Sequence, residues 1–303
     1  METQQITSSV RRPEPDLVQA VGSSPALPTP APARPRGADA WQLRMFRKAL
    51  KKRRRLAVLR RLLGPLAAEA TCLLVTCGDN NGAMNWHLRE LGGIWSWADL
   101  EERSLGEMAA LLGDPVYHAT SYRLPFRDRS FDWVVAIDVH EHIERPAAFT
   151  REIERVVRPG GRVVLTTPGG DRGRLVNRLK QRLGMTTATY GHVRDGLSND
   201  ELVDLLEQAS LCPDGRTSFS RCFTELVELG INWAYVKKLS GSAGAREGEI
   251  APATHNQLQS VGKAYRLYSL AFPFLWLVSR LDLLVAFRPG YVSVVTGHKE
   301  DES

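Results

Sequence analysis

The chain has 303 residues, of which 43% are hydrophobic and 24% are charged, and this composition predicts that most of it is globular. The formal net charge is +6, from 40 Lys and Arg against 34 Asp and Glu. The four cysteines form no CxxC pair, so we expect reduced thiols in a cytoplasmic protein rather than a disulfide-stapled scaffold.

Membrane insertion is not expected from the hydrophobic pattern. The N-terminus has no charged head followed by an apolar run, so no secretory signal is predicted. The longest apolar run, Leu267–Val278, contains Ser269 and Pro273 and is shorter than the roughly 20 residues of a simple membrane span.

Residues 1–40 are rich in Pro, Ala, Ser and Gln, and the stretch 25–35 alternates proline with small residues. Such a segment buries too little apolar surface to offset the entropy of ordering, so we predict a disordered tail.

Residues 41–65 are predicted to form a basic amphipathic helix that ends at Gly64-Pro65. Two apolar triplets at helical spacing support this: Leu43, Phe46 and Leu50, then Leu56, Leu59 and Leu63. The run Lys51–Arg55 lies between them, and the whole segment has ten Lys or Arg and no acid. The run is either a solvated face or a contact for an anionic membrane surface. A nucleic-acid partner is disfavoured, because no aromatic residues are interleaved with the charges.

From residue 66 to residue 303, strands alternate with helices. This alternation predicts an α/β, Rossmann-like, mostly parallel sheet with helices on both faces, whose ligands bind at the carboxyl ends of the strands. Ser198 and Glu201 predict a capping box at the start of one helix. Residues 224–290 interrupt the alternation with a helical and aromatic insert. The predicted strands are 72–76, 94–100, 116–120, 131–137, 162–167, 217–223 and 291–296.

Three motifs occur in a fixed order: LPFRDRSFD at 124–132, DVHEH at 138–142, and EIERVVRPGG at 152–161. Together they resemble the class I S-adenosylmethionine-dependent methyltransferases, most closely the group typified by the ubiquinone and menaquinone biosynthesis methylases. The resemblance covers about residues 70–223. It implies a seven-stranded sheet with an antiparallel last strand and S-adenosyl-L-methionine as the cofactor.

The loop after the first strand is the expected cofactor loop. Small residues let the backbone approach a ligand closely. The spacing of Gly78 and Gly82 is GxxxG rather than the GxGxxG of a dinucleotide site, which disfavours a nicotinamide dehydrogenase. Asn80 stands where the family usually has its third glycine, and Asn tolerates a left-handed backbone. The predicted loop contacts are Cys77, Gly78, Asp79, Asn80 and Gly82.

The ends of the next strands supply the other predicted cofactor contacts. Asp99, with Leu100 beside it, ends the second strand, where an acid can accept hydrogen bonds from ribose hydroxyls, and Glu101 is the alternative acid. The resemblance places Thr120 and Ser121 near the adenine. It also places Asp138 and His140 where the methyl donor faces its acceptor.

Two residues depart from the family pattern. Leu74 stands where the family has an acid, and Thr76 stands where it has a glycine. These departures leave open an inactive homologue that binds a partner instead.

Candidate catalytic residues are Glu141, His142 and His192. An oxygen acceptor must lose a proton, and these side chains could remove it. Glu141 and His142 could equally be structural, and His192 could be packed in its loop. No metal site is predicted.

The insert contains aromatic residues that suit a greasy acceptor, although a simple buried cap is the alternative. The sequence therefore predicts a methyltransferase acting on a small-molecule acceptor that is lipid-linked or derived from the cell envelope. It would be cytoplasmic, with peripheral attachment to the inner membrane face. The alternatives are a nucleic-acid methyltransferase and an inactive interaction module. The oligomeric state is not predicted.

Overall fold

The computed structural model describes residues 40–78, 80–240 and 250–301. Its centre is a seven-stranded sheet in the order β3-β2-β1-β4-β5-β7-β6. Only β7 runs against its neighbours in the described sheet, pairing antiparallel with both β5 and β6. The strands are β1 Thr71–Thr76, β2 Ile94–Asp99, β3 Val116–His118, β4 Phe131–Ile137, β5 Val157–Pro168, β6 Cys212–Phe219 and β7 Val292–His298.

Helices cover both faces of this sheet. Those before β5 are α1 Trp41–Phe46, α2 Leu50–Leu63, α3 Ala83–Arg89, α4 Leu105–Leu112 and α5 Pro146–Val156. Those after β5 are α6 Leu175–Arg182, α7 Thr187–Tyr190, α8 Asn199–Gln208, α9 Cys222–Ser240, α10 His255–Ser260 and α11 Gly262–Arg280. Three short 3-10 helices lie between these elements in the described residues, at Glu102–Ser104, His140–His142 and Leu281–Val285.

The predicted sheet is confirmed, including the antiparallel last strand. The strand bounds differ most at β6, which spans Cys212–Phe219 where residues 217–223 were predicted. Strand β5 also differs, because it begins at Val157 and continues through Pro159-Gly160-Gly161 instead of beginning at residue 162. Val157 already pairs with Phe131, and an irregularity in the register absorbs the intervening residues before Arg162 pairs with Trp133. The capping box of Ser198 and Glu201 is present at the start of α8.

The single helix predicted over 41–65 is wrong: the segment forms two helices that are separated at Arg47–Ala49. Ala49 has an extended backbone (φ −90°, ψ 95°). The two apolar triplets lie on separate helices, and Leu43, Phe46, Leu56, Leu59 and Leu63 all enter the same core cluster against β1, β2 and β4. Residues 1–39, predicted to be disordered, lie outside the described part of the chain.

The insert is helical, as predicted, and packs α9 against α11. One helical stretch in the described residues, Gly262–Val285, has the length and composition of a membrane span, and only 11% of its apolar window is buried. The sequence-based expectation that this apolar segment is too short to span a membrane is therefore wrong as regards its length. The helix extends the run on both sides, from Gly262 through the turn that ends at Val285.

Candidate functional site

A cavity of about 840 Å³ lies between the carboxyl ends of the central strands and the insert. Cys77 and Glu101 line the end near β1 and β2. Glu141 and His192 line the middle, and Tyr268 of α11 lines the far wall. The site is therefore assembled from both the sheet and the insert, which is where a doubly wound sheet binds its ligands.

The loop between β1 and α3 has the backbone shape expected of a cofactor loop. Gly78 and Gly82 have left-handed φ angles of 66° and 88°. The left-handed φ of Gly78 favours glycine, and a Cβ there would lie 2.7 Å from Cδ of Glu101 and displace that side chain. Asn80 donates to the side chains of Thr76 (3.1 Å) and Asn85 (2.8 Å), which fixes the loop to the strand and helix on either side. Asp79 lies outside the described residues.

Asp99 is buried behind this loop. Its Oδ1 accepts hydrogen bonds from the backbone N–H groups of Gly78 (2.9 Å) and Glu101 (2.8 Å), and its Oδ2 accepts one from Thr76 Oγ1 (2.5 Å). Burial raises the pKa of Asp99, while these three donors oppose the shift. The carboxylate thus holds the loop together, and Thr76, the departure from the family glycine, is one of its donors.

Glu101 lies in the cavity wall two residues further on, with its Oε2 2.8 Å from Nε of Arg103. Of the two acids weighed from the sequence, Glu101 is therefore the one that a ligand in the cavity can reach.

The other contacts predicted around the adenine lie outside the described cavity wall. Leu100 packs against the hydrophobic core. Thr120 is partly buried, and its Oγ1 donates to the carbonyl of Arg123 at 3.3 Å. Ser121 follows it in the same turn.

Asp138 and His140 end β4 in different environments. Asp138 lines the cavity, has a left-handed φ of 49°, and forms an ion pair with the buried Arg55. His140 is fully buried, with Nε2 3.1 Å from Oγ1 of Thr150. Burial and the charge of Arg194 lower the pKa of His140 to about 4, so this ring is a neutral packing group behind the cavity.

The cavity wall brings together the three candidate catalytic residues, Glu141, His142 and His192. Glu141 and His142 lie in the 3-10 turn after β4, and His192 lies just after α7. The two rings meet edge to face, with their centroids 4.6 Å apart. Burial raises the pKa of Glu141, and burial together with His142 lowers the pKa of His192 to about 3.

A buried acid joins three helices around the cavity. Glu225 of α9 forms ion pairs with Lys51 of α2 (3.0 Å) and Lys180 of α6 (3.3 Å), and it accepts a hydrogen bond from Ser220 Oγ (2.7 Å). Burial alone would raise the pKa of Glu225, but the attraction of the two ammonium groups lowers it to about 2. The sequence did not predict this cluster, because its members lie 45 to 174 positions apart and none belongs to a motif.

The basic run on α2 is largely turned inward. Lys51 pairs with Glu225, Arg54 with Asp282 (3.1 Å), and Arg55 with Asp138. Arg53 is exposed and donates to the carbonyl of Arg47. Three of these cations thus hold the insert and β4 to α2 rather than forming one solvated face.

Comparison with known proteins agrees with this architecture. Residues 73–165 match a family model described as "Methyltransferase domain". A curated protein of Mycolicibacterium smegmatis, named "Probable S-adenosylmethionine-dependent methyltransferase", is 37% identical over 95 residues, which are 31% of this chain and 34% of that protein. The chain thus matches about a third of that relative's length. Residues 73–165 are thus similar to a methyltransferase domain, and the relative just described is named as S-adenosylmethionine-dependent.

Solved structures resemble the whole methyltransferase fold at low identity. Phosphoethanolamine N-methyltransferase 2 of Haemonchus contortus, in complex with phosphomonomethylethanolamine and S-adenosylhomocysteine, superposes with a TM-score of 0.51 and 16% identity. The match covers 82% of this chain and 53% of that one. The [4+2]-cyclase SpnF superposes with a TM-score of 0.50 and 15% identity over 82% of each chain. These likenesses concern the fold alone, because one fold hosts different reactions.

The family match ends at Leu165, before α6, α9 and α11. The methyltransferase domain accordingly accounts for the loop, Glu101 and the turn at Glu141. The far wall of the cavity belongs to the insert.

Proposed function

We propose that this protein transfers a methyl group from S-adenosyl-L-methionine to an amphipathic, lipid-linked or cell-envelope acceptor at the surface of a membrane. The observation that carries the proposal is the single cavity, which joins the glycine loop of the methyltransferase domain to an apolar wall on the insert. The other side of that wall is exposed and apolar.

The residues at the sheet end of the cavity fit the cofactor. The glycine loop brings Cys77 to the cavity wall, and Glu101 is a carboxylate in the same wall that can accept hydrogen bonds from two ribose hydroxyls. Bound S-adenosylmethionine supplies a methyl group on a sulfonium, so the protein needs chiefly to position the acceptor and to exclude water. In this proposal Asp99 acts through the loop, whose shape it fixes.

The acceptor end of the cavity combines apolar and cationic groups. Helix α11 contributes Tyr268, Leu275 and Val278, while Lys51 and Arg55 of α2 line the same space. Such a lining suits a molecule with an acyl or prenyl part and a polar head that carries the methylated atom.

The outer surface of α11 argues for a membrane. Leu270, Leu277 and Leu284 recur along one side of the helix and its following turn, with exposed fractions of 81%, 59% and 70%. A helix that is apolar all round is normally buried, and the opposite side of α11 already faces the cavity. We therefore expect the helix to lie in the plane of the bilayer surface, where the acceptor can enter the cavity between its side chains.

Cations close to this surface would add attraction to anionic lipid. Arg266, Arg280 and Arg288 are exposed around the apolar side of the helix. Each Lys or Arg near an anionic leaflet contributes about 1 kcal/mol. Insertion of the apolar side of α11 into the lipid would thus contribute most of the free energy of membrane binding. The basic side chains would add a smaller contribution that weakens as salt is added.

The proposed activity can be tested with labelled cofactor. Lipid and metabolite extracts are incubated with the protein and S-adenosylmethionine that carries a deuterated methyl group, and the products are identified by mass spectrometry. We expect the label in a lipid-soluble product. Label only in water-soluble products would refute the lipid-linked acceptor, and label transferred to total RNA in a parallel incubation would favour the nucleic-acid alternative.

Membrane attachment has its own experiment. The protein is sedimented with vesicles of phosphatidylglycerol and phosphatidylcholine, or of phosphatidylcholine alone. We expect recovery to be higher with the anionic vesicles and to fall with the double variant Leu270→Glu/Leu277→Glu. Tyr122→Glu is the matched control, because Tyr122 is 71% exposed in a loop on the methyltransferase domain. Equal sedimentation of the double variant and the control would contradict attachment through α11.

A further inference from the structure

Three side chains with metal-binding atoms converge on the cavity wall. One ligand atom from each of Glu141, His142 and His192 lies within 4.8 Å of the other two. Two segments of the chain supply them, the turn after β4 and the loop after α7. These segments are joined by the backbone, because Val193 N–H donates to the carbonyl of Glu141 at 2.9 Å. The convergence is therefore fixed by main-chain structure.

The ring of His142 is oriented in the manner of a metal ligand. Its Nδ1 lies 2.9 Å from the carbonyl oxygen of Gly191. A carbonyl only accepts, so Nδ1 carries the proton and Nε2 has its lone pair available. Metal-bound histidines commonly donate their other ring N–H to a backbone carbonyl in this way.

Glu141 supplies the second, independent observation. Its side chain is fully buried, and its Oε2 accepts a hydrogen bond from Thr167 Oγ1 at 3.0 Å. Its Oε1 is buried without a hydrogen-bond partner among the described residues. An unpaired buried carboxylate oxygen is costly, and a cation is one group that would satisfy it.

We propose that Glu141, His142 and His192 bind one divalent first-row transition-metal ion. Two imidazoles and one carboxylate form a donor set that suits such ions and leaves coordination positions open. All three residues line the cavity, so an open position would face the acceptor. Thr167 and the Gly191 carbonyl would be the outer groups that orient the ligands.

The role of the ion rests on the proposed function, whereas its binding does not. An acceptor hydroxyl that coordinates the ion loses its proton to water more readily. The oxygen then forms a bond to the methyl carbon as the carbon–sulfur bond breaks, and the electron pair of that bond stays on sulfur. The ion would thereby replace a protein base at the cavity wall.

The test is direct metal binding by the full chain without an affinity tag. Chelator-treated protein is titrated with Co²⁺, whose visible absorption reports nitrogen and oxygen ligands, and Zn²⁺ is measured by equilibrium dialysis. We expect one ion per chain. His142→Ala and His192→Ala should each weaken binding by more than the roughly tenfold typical of an outer-shell change, and Thr167→Val by about tenfold.

His87→Ala and His118→Ala are the matched controls, because each of these outlying rings also has a nearby glutamate, Glu90 and Glu102 respectively. Circular dichroism confirms that every variant is folded. Failure to bind either ion would overturn the proposal, and so would affinity that falls equally in the control variants. Binding unchanged in both His142→Ala and His192→Ala would place the ion elsewhere and also refute it.

Calorimetry with S-adenosylhomocysteine separates this proposal from the proposed function. A chain that binds S-adenosylhomocysteine but no metal ion refutes the metal site alone. A chain that binds the ion but not S-adenosylhomocysteine refutes the methyltransferase function alone.

Discussion

Replacing Glu225 by Gln should markedly destabilise the packing of the insert on the methyltransferase domain. The Glu225 carboxylate is 1% exposed and forms ion pairs with both Lys51 and Lys180. These cations lower its pKa from 4.5 to about 2, and at 1.36 kcal/mol per pKa unit this corresponds to about 3 kcal/mol. The variant leaves two ammonium groups facing each other without their counterion, so the free energy of unfolding should fall by about that amount at pH 7.

The pH dependence follows from the direction of the shift. A carboxylate whose pKa is depressed by folding contributes its full stability above its unfolded pKa and loses it as the pH falls towards the folded value. The difference between wild type and variant should therefore be constant from pH 7 to about pH 5.5 and shrink by roughly a third to a half by pH 3.5.

Urea unfolding at these pH values measures the Glu225 effect, with Glu207→Gln on the exposed side of α8 as the matched control. A loss below 1 kcal/mol at pH 7 would refute the reasoning. A difference that stays constant down to pH 3.5 would also refute it.

Two further variants and one thiol reagent test separate parts of the structure. Glu101→Gln should weaken S-adenosylhomocysteine binding about tenfold in calorimetry, since hydrogen bonds to a charged group contribute about 1.5–3 kcal/mol; a change under twofold would contradict its assignment. Asp99→Ala should instead lower the free energy of unfolding by about 1–3 kcal/mol, because three donors lose their acceptor. Iodoacetamide at pH 8 should modify Cys212 well before Cys72, whose burial raises its pKa to about 12; mass spectrometry that finds Cys72 modified first would contradict this burial.

The sheet was predictable because its signals are local. Buried parallel strands such as β4 contain continuous apolar runs, here Trp133–Ile137, and the motifs between residues 124 and 161 indicate the order of the elements around them. Strand ends were less predictable. The run Pro159–Gly161 indicates a turn by its residue types, yet β5 continues through it as an irregularity, because Val157 and Arg162 on either side both pair with β4.

The sequence indicated which strand ends lie near the cavity, but not which of two neighbouring acids faces it. Asp99 stands at the position in the sequence where a ribose ligand is expected. In the structure, however, its two carboxylate oxygens already accept three hydrogen bonds from the protein. Glu101 reaches the cavity because the strand has already ended. Tertiary hydrogen bonds decide which of two acids near a strand end faces a ligand. Such bonds cannot be inferred from the spacing of residues in the sequence.

The long-range ion pairs could not be predicted from the sequence. The run Lys51–Arg55 is equally compatible with water, lipid or buried acids until the fold brings Glu225, Asp282 and Asp138 to it. The length of the apolar helix was also missed, because Ser269 and Pro273 break the run in the sequence but do not end the helix.

The central claim is that the cavity beside the glycine loop binds S-adenosylmethionine and presents it to an acceptor. Calorimetric titration of the full chain with S-adenosylmethionine and S-adenosylhomocysteine tests it most directly. The account predicts saturable binding of one molecule per chain, weakened by Glu101→Gln and unaffected by Glu207→Gln. No heat of binding and no rise in the unfolding temperature at millimolar ligand would contradict it.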